Sequence, residues 1–167
     1  MSDLKYLMSY TIAIVTIVGI LLGGGYTYMT VVYAFVFIPA LEMILKESNE
    51  EMSDEVKKNR SMDIFFDILL YLNIPLVFSI FFLSLNMMFY STSLVEIVGI
   101  IASTSIMMAT NGINVAHELG HRKSFFSRTC SKLLLMPSQY MHFYIEHNFG
   151  HHVNVGTEGD PATAKYK

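Results

Sequence analysis

All six histidines of this 167-residue chain fall between Ala116 and Val153, so any metal or proton chemistry they support is confined to one segment. The first cluster reads His117-Glu118-Leu119-Gly120-His121. Four residues make about one helical turn, so on a helix both rings project from one face. The second cluster reads His147-Asn148-Phe149-Gly150-His151-His152. There His147 and His151 again share a helical face, with His152 about 100° further round, and three imidazoles of one helix can reach one locus. His142 lies five residues before His147, off that face. Imidazole is neutral near pH 7 and suits Zn, Cu, Fe and Ni. Five such rings at the end of a membrane span are costly to hold without a metal or partner, and ionisable groups at membrane level are read first as functional. The alternative is a solvated helix pair whose histidines cluster by chance. One such pair would leave that alternative open; two pairs and an adjacent His-His argue against it. Tyr140, Phe143, Tyr144 and Phe149, interleaved with the histidines, read as packing residues.

The first cluster also fits H-E-x-x-H, the helical zinc peptidase pattern in which Glu118 would act as general base. Glu146 or His147 could then complete the ligand set. A mononuclear zinc site has no use for His147, His151 and His152 together, however. The surplus of imidazoles points to two metals rather than one tetrahedral centre.

The elements that must position these rings are long and apolar. A bilayer core of roughly 30 Å needs about 20 apolar residues at 1.5 Å each. Four segments qualify: residues 6–22, 26–45, 64–85 and 94–113. In lipid each must pair its own backbone groups, which predicts four helices in two tight hairpins and an all-α fold. Asn73 and Pro75 interrupt the third segment and predict a kink, because proline removes a donor and crowds the preceding turn. Residues 114–167 follow as a metal-binding segment. Within it Ser124–Glu146 is too mixed to span and reads as interfacial or re-entrant. Residues 1–167 together read as one membrane domain.

Charge gives the orientation. With four spans, the N-terminus, the polar Lys46–Asp63 loop (which holds Lys57, Lys58 and Arg60) and everything after Ile113 share a side. All eleven Lys and Arg residues fall there, and the two opposite turns carry none. The positive-inside rule makes that side cytoplasmic, histidines included. The apolar run from Tyr6 is longer than the roughly 7–15 residues of a signal core and lacks an A-x-A site, so a retained span is expected. A net charge of −3 leaves no basic face for nucleic acid. The single cysteine, Cys130, excludes an internal disulfide and reads as a free thiol in a reducing compartment.

His117-Glu118-Leu119-Gly120-His121-Arg122-Lys123 is similar to the first histidine box of the membrane-bound alkane 1-monooxygenases. Glu146-His147-Asn148-Phe149-Gly150-His151-His152 resembles their second box, and Val153–Ala164 resembles the segment that follows it. The wider superfamily includes the membrane fatty acid desaturases, which more often place two residues before the paired histidines. The three-residue gap Asn148-Phe149-Gly150 favours the hydroxylase branch, with xylene-type hydroxylases close by.

The resemblance implies a six-helix membrane fold with a cytoplasm-facing di-iron centre, held mainly by histidine. His117, His121, His147, His151 and His152 would be ligands, and His142 matches no box. Glu118 and Glu146 would orient rings by accepting an imidazole N–H. The implied reaction is hydroxylation of the terminal methyl of an alkane or similar hydrocarbon chain, with O2 and electrons from a rubredoxin-type donor, at a bacterial inner membrane. Desaturation uses a similar oxidant and remains the nearest alternative. The family continues with two further spans and a third box, so the chain is expected to be an N-terminal part holding about five of the ligands. Gly156 and Gly159 stand where the family commonly has alanine and a charged residue.

Overall fold

The computed structural model describes residues 3–45, 64–160 and 162; the Lys46–Asp63 loop lies outside the described residues. All regular structure among the described residues is helical. Helix α1, Tyr6–Leu22, opens in 3-10 geometry and becomes α-helical from Thr11. Gly23 links it to α2, Gly24–Ile44, which carries a π turn at Tyr33–Phe37. Helix α3, Ile64–Tyr90, holds Pro75 inside one continuous element. The side-chain amide of Asn73 donates to the Leu69 carbonyl at 2.8 Å. Residues 91–93 lead into α4, Leu94–Gly120, whose Ser93 hydroxyl caps the Glu96 amide. Helix α5 is Phe125–Leu135, and α6 covers residues 143–154.

Three helices, α2, α3 and α4, are long and apolar enough to cross a membrane. The first apolar segment, expected as a fourth span, forms a helix of 17 residues by its bounds Tyr6–Leu22, at the short end of the roughly 17–25 that span a bilayer. Helix α4 runs past the expected end at Ile113, so His117 sits on the last turn of an apolar helix rather than on a separate element.

The bundle is apolar outside and mixed inside, with polar and apolar residues sharing its core. Leu21, Val32, Phe35, Phe82, Val98 and Ile101 are exposed, while Thr16, Thr30, Asn73, Ser84, Thr104 and Asn111 are buried with Ile20, Val77, Ile80 and Ile100. Lipid tails are as apolar as leucine, so helices associate through close packing and interhelical hydrogen bonds instead. The bonds are present: Thr16 to Thr30 at 2.9 Å, Ser84 to Thr104 at 2.7 Å, and the Ser103 hydroxyl to the Thr27 carbonyl at 2.5 Å. The close packing centres on Gly99, where a Cβ would lie 2.1 Å from the Thr27 hydroxyl and 2.7 Å from the Tyr28 ring. At one end of the bundle the Glu96 carboxylate accepts from the Gly24 amide at 2.9 Å and the Ser91 hydroxyl at 2.6 Å, joining the two interhelical links.

At the other end α5 lies across the close of α4. It buries Ser127, Cys130, Ser131, Leu134 and Leu135 and leaves Phe125 and Phe126 exposed, an amphipathic helix where the sequence predicts an interfacial stretch. The Ser131 hydroxyl donates to the Ala116 carbonyl at 2.6 Å, and Tyr71 of α3 meets Ser127 at 2.9 Å. Arg122 pairs with Asp67 of α3 at 2.6 Å, which pins the end of α4.

Candidate metal centre

The two histidine clusters meet at this end of the bundle. His117 comes from the last turn of α4 and His121 from the residue that closes it; His147 and His152 come from α6. Each offers one nitrogen, and the four nitrogens lie within 4.8 Å of one another. The Nε2 atoms of His147 and His152 are 3.0 Å apart, and those of His147 and His121 are 3.4 Å apart. His117 closes the group, its ring centroid 4.2 Å from that of His147 and 4.6 Å from that of His121.

Backbone geometry explains why His152, not His151, joins this group. In an ideal α-helix residues five apart are about 140° out of register. Glu146–His151 is a π-helical turn instead, whose wider i→i+5 repeat brings residues five apart onto one face. His147 and His152 therefore point together, and His151 bonds Asp160 instead. The sequence pattern, read at α-helical spacing, places His147 with His151. The structure stacks those rings at 5.7 Å but directs His151 Nδ1 to Asp160, 2.9 Å and 3.0 Å from the two carboxylate oxygens. Another π turn, Met108–Ile113, sits in α4 just before His117. Gly120 lets the pieces close up: a Cβ there would lie 3.2 Å from the Ser131 hydroxyl and 3.4 Å from the Tyr144 ring.

The donor set fits a metal. Ligands about 2.0–2.1 Å from an ion at angles between right and tetrahedral stand about 2.9–3.4 Å apart. The two nitrogen–nitrogen distances given above lie in that range. Partial burial, and then the neighbouring rings of His117, His152, His121 and His151, push the His147 pKa down from its usual 6.5 to about 4. The ring is neutral at physiological pH, the form that binds metal. Phe143 stacks on His147 with centroids 4.9 Å apart and planes at 14°, forming an apolar wall on one side. From sequence Phe143 read as packing only; its position one turn before His147 is the signal that links it to the site.

The remaining site candidates stand elsewhere. His142 is exposed and its ring meets Tyr140 rather than the cluster. Glu118 and Glu146 are exposed, and among the described residues no hydrogen bond joins either carboxylate to a histidine ring. The carboxylate that does bond a ring is Asp160, which is 2% exposed and also accepts from the Ala162 amide at 2.9 Å. Sequence reasoning passed over Asp160 because nine residues separate it from His151 and no helical repeat connects them. The only hint is Gly156, whose φ of 77° reverses the chain and returns Asp160 to the helix.

A fatty acid desaturase family model matches residues 91–167, the stretch that holds α4 and both clusters. Alkane 1-monooxygenase 1 of Alcanivorax borkumensis is 33% identical over 130 residues, covering 77% of this chain and 32% of that protein. The alkane 1-monooxygenases of Pseudomonas putida and Ectopseudomonas oleovorans are 35% and 34% identical over 131 residues, again 77% of this chain and 32% of each relative. The chain therefore spans about a third of the length of the curated relatives it matches. A family match that takes in both clusters and relatives that share one name thus make this chain similar, over 77% of its length, to part of the alkane 1-monooxygenases.

Proposed function

We propose that this chain forms the membrane anchor and part of the di-iron centre of an enzyme that hydroxylates the terminal methyl of alkanes or similar hydrocarbon chains. The observation that carries the reading is the convergence of four imidazoles from two separate segments, their nitrogens within 4.8 Å of one another and two pairs at 3.0 and 3.4 Å. His117, His121, His147 and His152 would hold one iron, and His151 would serve the second. The other ligands of a di-iron pair would come from the part of the relatives that this chain does not span. The chemistry such a centre supplies is dioxygen activation, with two electrons from a rubredoxin-type donor, one oxygen atom entering the C–H bond and the other leaving as water.

The chain's own residues bind, shield and position. The π turn of α6 sets His147 and His152 on one face, and Phe143 keeps water from one side of His147. Helices α1 to α4 act as four spans in two hairpins, with the histidines on the cytoplasmic side of a bacterial inner membrane. The distribution of Lys and Arg supports that orientation. A cavity of about 270 Å³ opens between the helices, lined by Met8, Ile12, Ile38 and Val115 together with the polar Asn73 and Asn111. Val115 is two residues before His117, and an apolar chain partitioned into lipid would enter this space to bring its end to the metal.

The test is metal analysis with product analysis on the complete protein. Two irons per polypeptide, with conversion of an n-alkane to the 1-alkanol that depends on O2 and reduced rubredoxin, is the expected result. One zinc and no iron would return the site to a peptidase built on His117-Glu118-x-x-His121. An alkene product would move the protein to the desaturase branch.

A further inference from the structure

We infer that Asp160 is a positioning residue of the metal centre, and that its buried carboxylate fixes His151 as an Nε2 ligand. The inference rests on the metal-centre reading above. His151 Nδ1 lies 2.9 Å and 3.0 Å from the two oxygens of Asp160, whose side chain is fully buried. An ionised carboxylate is an acceptor only, so Nδ1 must carry the proton. The lone pair of the neutral ring is then confined to Nε2, the one nitrogen left to take a metal. A charged acceptor also raises the basicity of the ring it holds.

The same contact explains the division of labour in α6. The π turn groups His147 with His152, and the Asp160 carboxylate keeps His151 out of that group, with its ring 5.7 Å from His147 and 5.6 Å from His152. Asp160 can do this only because the chain reverses over Asn154–Asp160. The Thr157 amide donates to the Asn154 carbonyl at 2.9 Å and the Asp160 amide to the Thr157 carbonyl at 3.2 Å. The Ala162 amide then donates to Asp160 Oδ1 at 2.9 Å, which orients the carboxylate. The segment after the second histidine cluster is thus part of the centre, since its turn delivers a ring-orienting acid to one ligand of the five.

Two readouts on the full chain in nanodiscs separate this role from a merely structural one. Nitrogen-15 spectra of histidine-labelled apo protein should show His151 as the Nδ1–H tautomer in the parent and as mixed tautomers in Asp160→Asn and Asp160→Ala. Titration with Co(II) as the probe should show affinity about 10–100-fold weaker in Asp160→Asn, the range for a group that orients a ligand. Asp160→Asn keeps an acceptor for the Ala162 amide, so the turn is retained even if Asp160→Ala fails to fold. In a His151→Ala background Asp160→Asn should cause no further loss. Equal losses in both backgrounds, unchanged affinity in Asp160→Asn, or an Nε2–H tautomer in the parent would each overturn the assignment. If the parent binds no metal while His151 shows the expected tautomer, the metal-centre reading fails and takes this role with it, leaving only the hydrogen bond.

Discussion

Two polar clusters are built into this apolar bundle, and their hydrogen-bond chemistry is opposite. In the interior, Asn73, Asn111 and Tyr10 form a donor–acceptor network. The Asn111 amide donates to the Asn73 side-chain oxygen at 2.9 Å and the Ser9 carbonyl at 3.2 Å, while the Asn111 oxygen accepts from Thr110 at 3.1 Å. The Asn73 amide donates to Leu69, and the Tyr10 hydroxyl also bonds the Leu69 carbonyl. Donors there meet acceptors, so the network stabilises without help. At the histidine end, nitrogen faces nitrogen: His152, His147 and His121 meet through Nε2 atoms that are all potential metal ligands. A network of paired donors and acceptors ties helices together, whereas imidazole nitrogens gathered at one locus offer a ligand set for a cation. That contrast distinguishes a structural cluster from a functional one in the same molecule.

The comparison can be broken most directly by removing its central ring. His147→Ala should cut metal affinity by more than the roughly 10–100-fold typical of a group one step removed from the metal, and metal analysis after dialysis against a weak chelator would show it. Retained stoichiometry would end the claim that the rings are a ligand set. Asn111→Ala should do the converse. It leaves Asn73 short of a partner and should cost about 0.6–2 kcal/mol in detergent unfolding, with metal content unchanged; Asn73→Leu combined with Asn111→Leu should cost less than the sum of the two single changes.

Acid provides a third and gentler probe. His147 titrates at about 4 in the fold, against a usual 6.5. Between those values the unfolded chain binds the proton and the folded chain does not, so apo stability should fall as pH drops from about 6.5 towards 4. His147→Gln should flatten that part of the profile, while Asn111→Ala should leave its shape unchanged. The smallest effect is expected at the rim. Arg122 and Asp67 are both partly exposed, at 26% and 41%, and Arg122→Ala should cost about 0.2–1 kcal/mol and lose much of its effect in high salt. A larger loss with released metal would mean that the pair holds His121 in place.

How much of this was legible beforehand depends on the distance over which each feature is determined. The apolar runs, the all-helical class and the two histidine clusters follow from composition and short-range spacing, because backbone groups in lipid must pair within their own helix. The sequence also carries the likeness to alkane 1-monooxygenases, since the histidines of each cluster sit within a few positions of one another. The α-helical spacing rule puts His152 about 100° from the face of His147, and the π turn at Glu146–His151 brings it onto that face without any local signal in the sequence. Length-matching to a bilayer gave a span of 94–113 and says nothing of how far the helix runs on, which is to Gly120.

What only the tertiary structure decided was which groups meet. Nothing in the order of residues says that a helix closing at Gly120 and a π turn at Glu146 will share a locus; packing of α5 across α4 does that, through Ser131 and Gly120. Nor does spacing reveal that the carboxylate hydrogen-bonded to the His151 ring is that of Asp160. Helical periodicity reports neighbours on one face of one element, whereas a carboxylate returned by a reversed chain is a neighbour only in three dimensions. The residue types able to bind metal belong to the sequence, and their division between one four-ring locus and one anchored ring belongs to the fold.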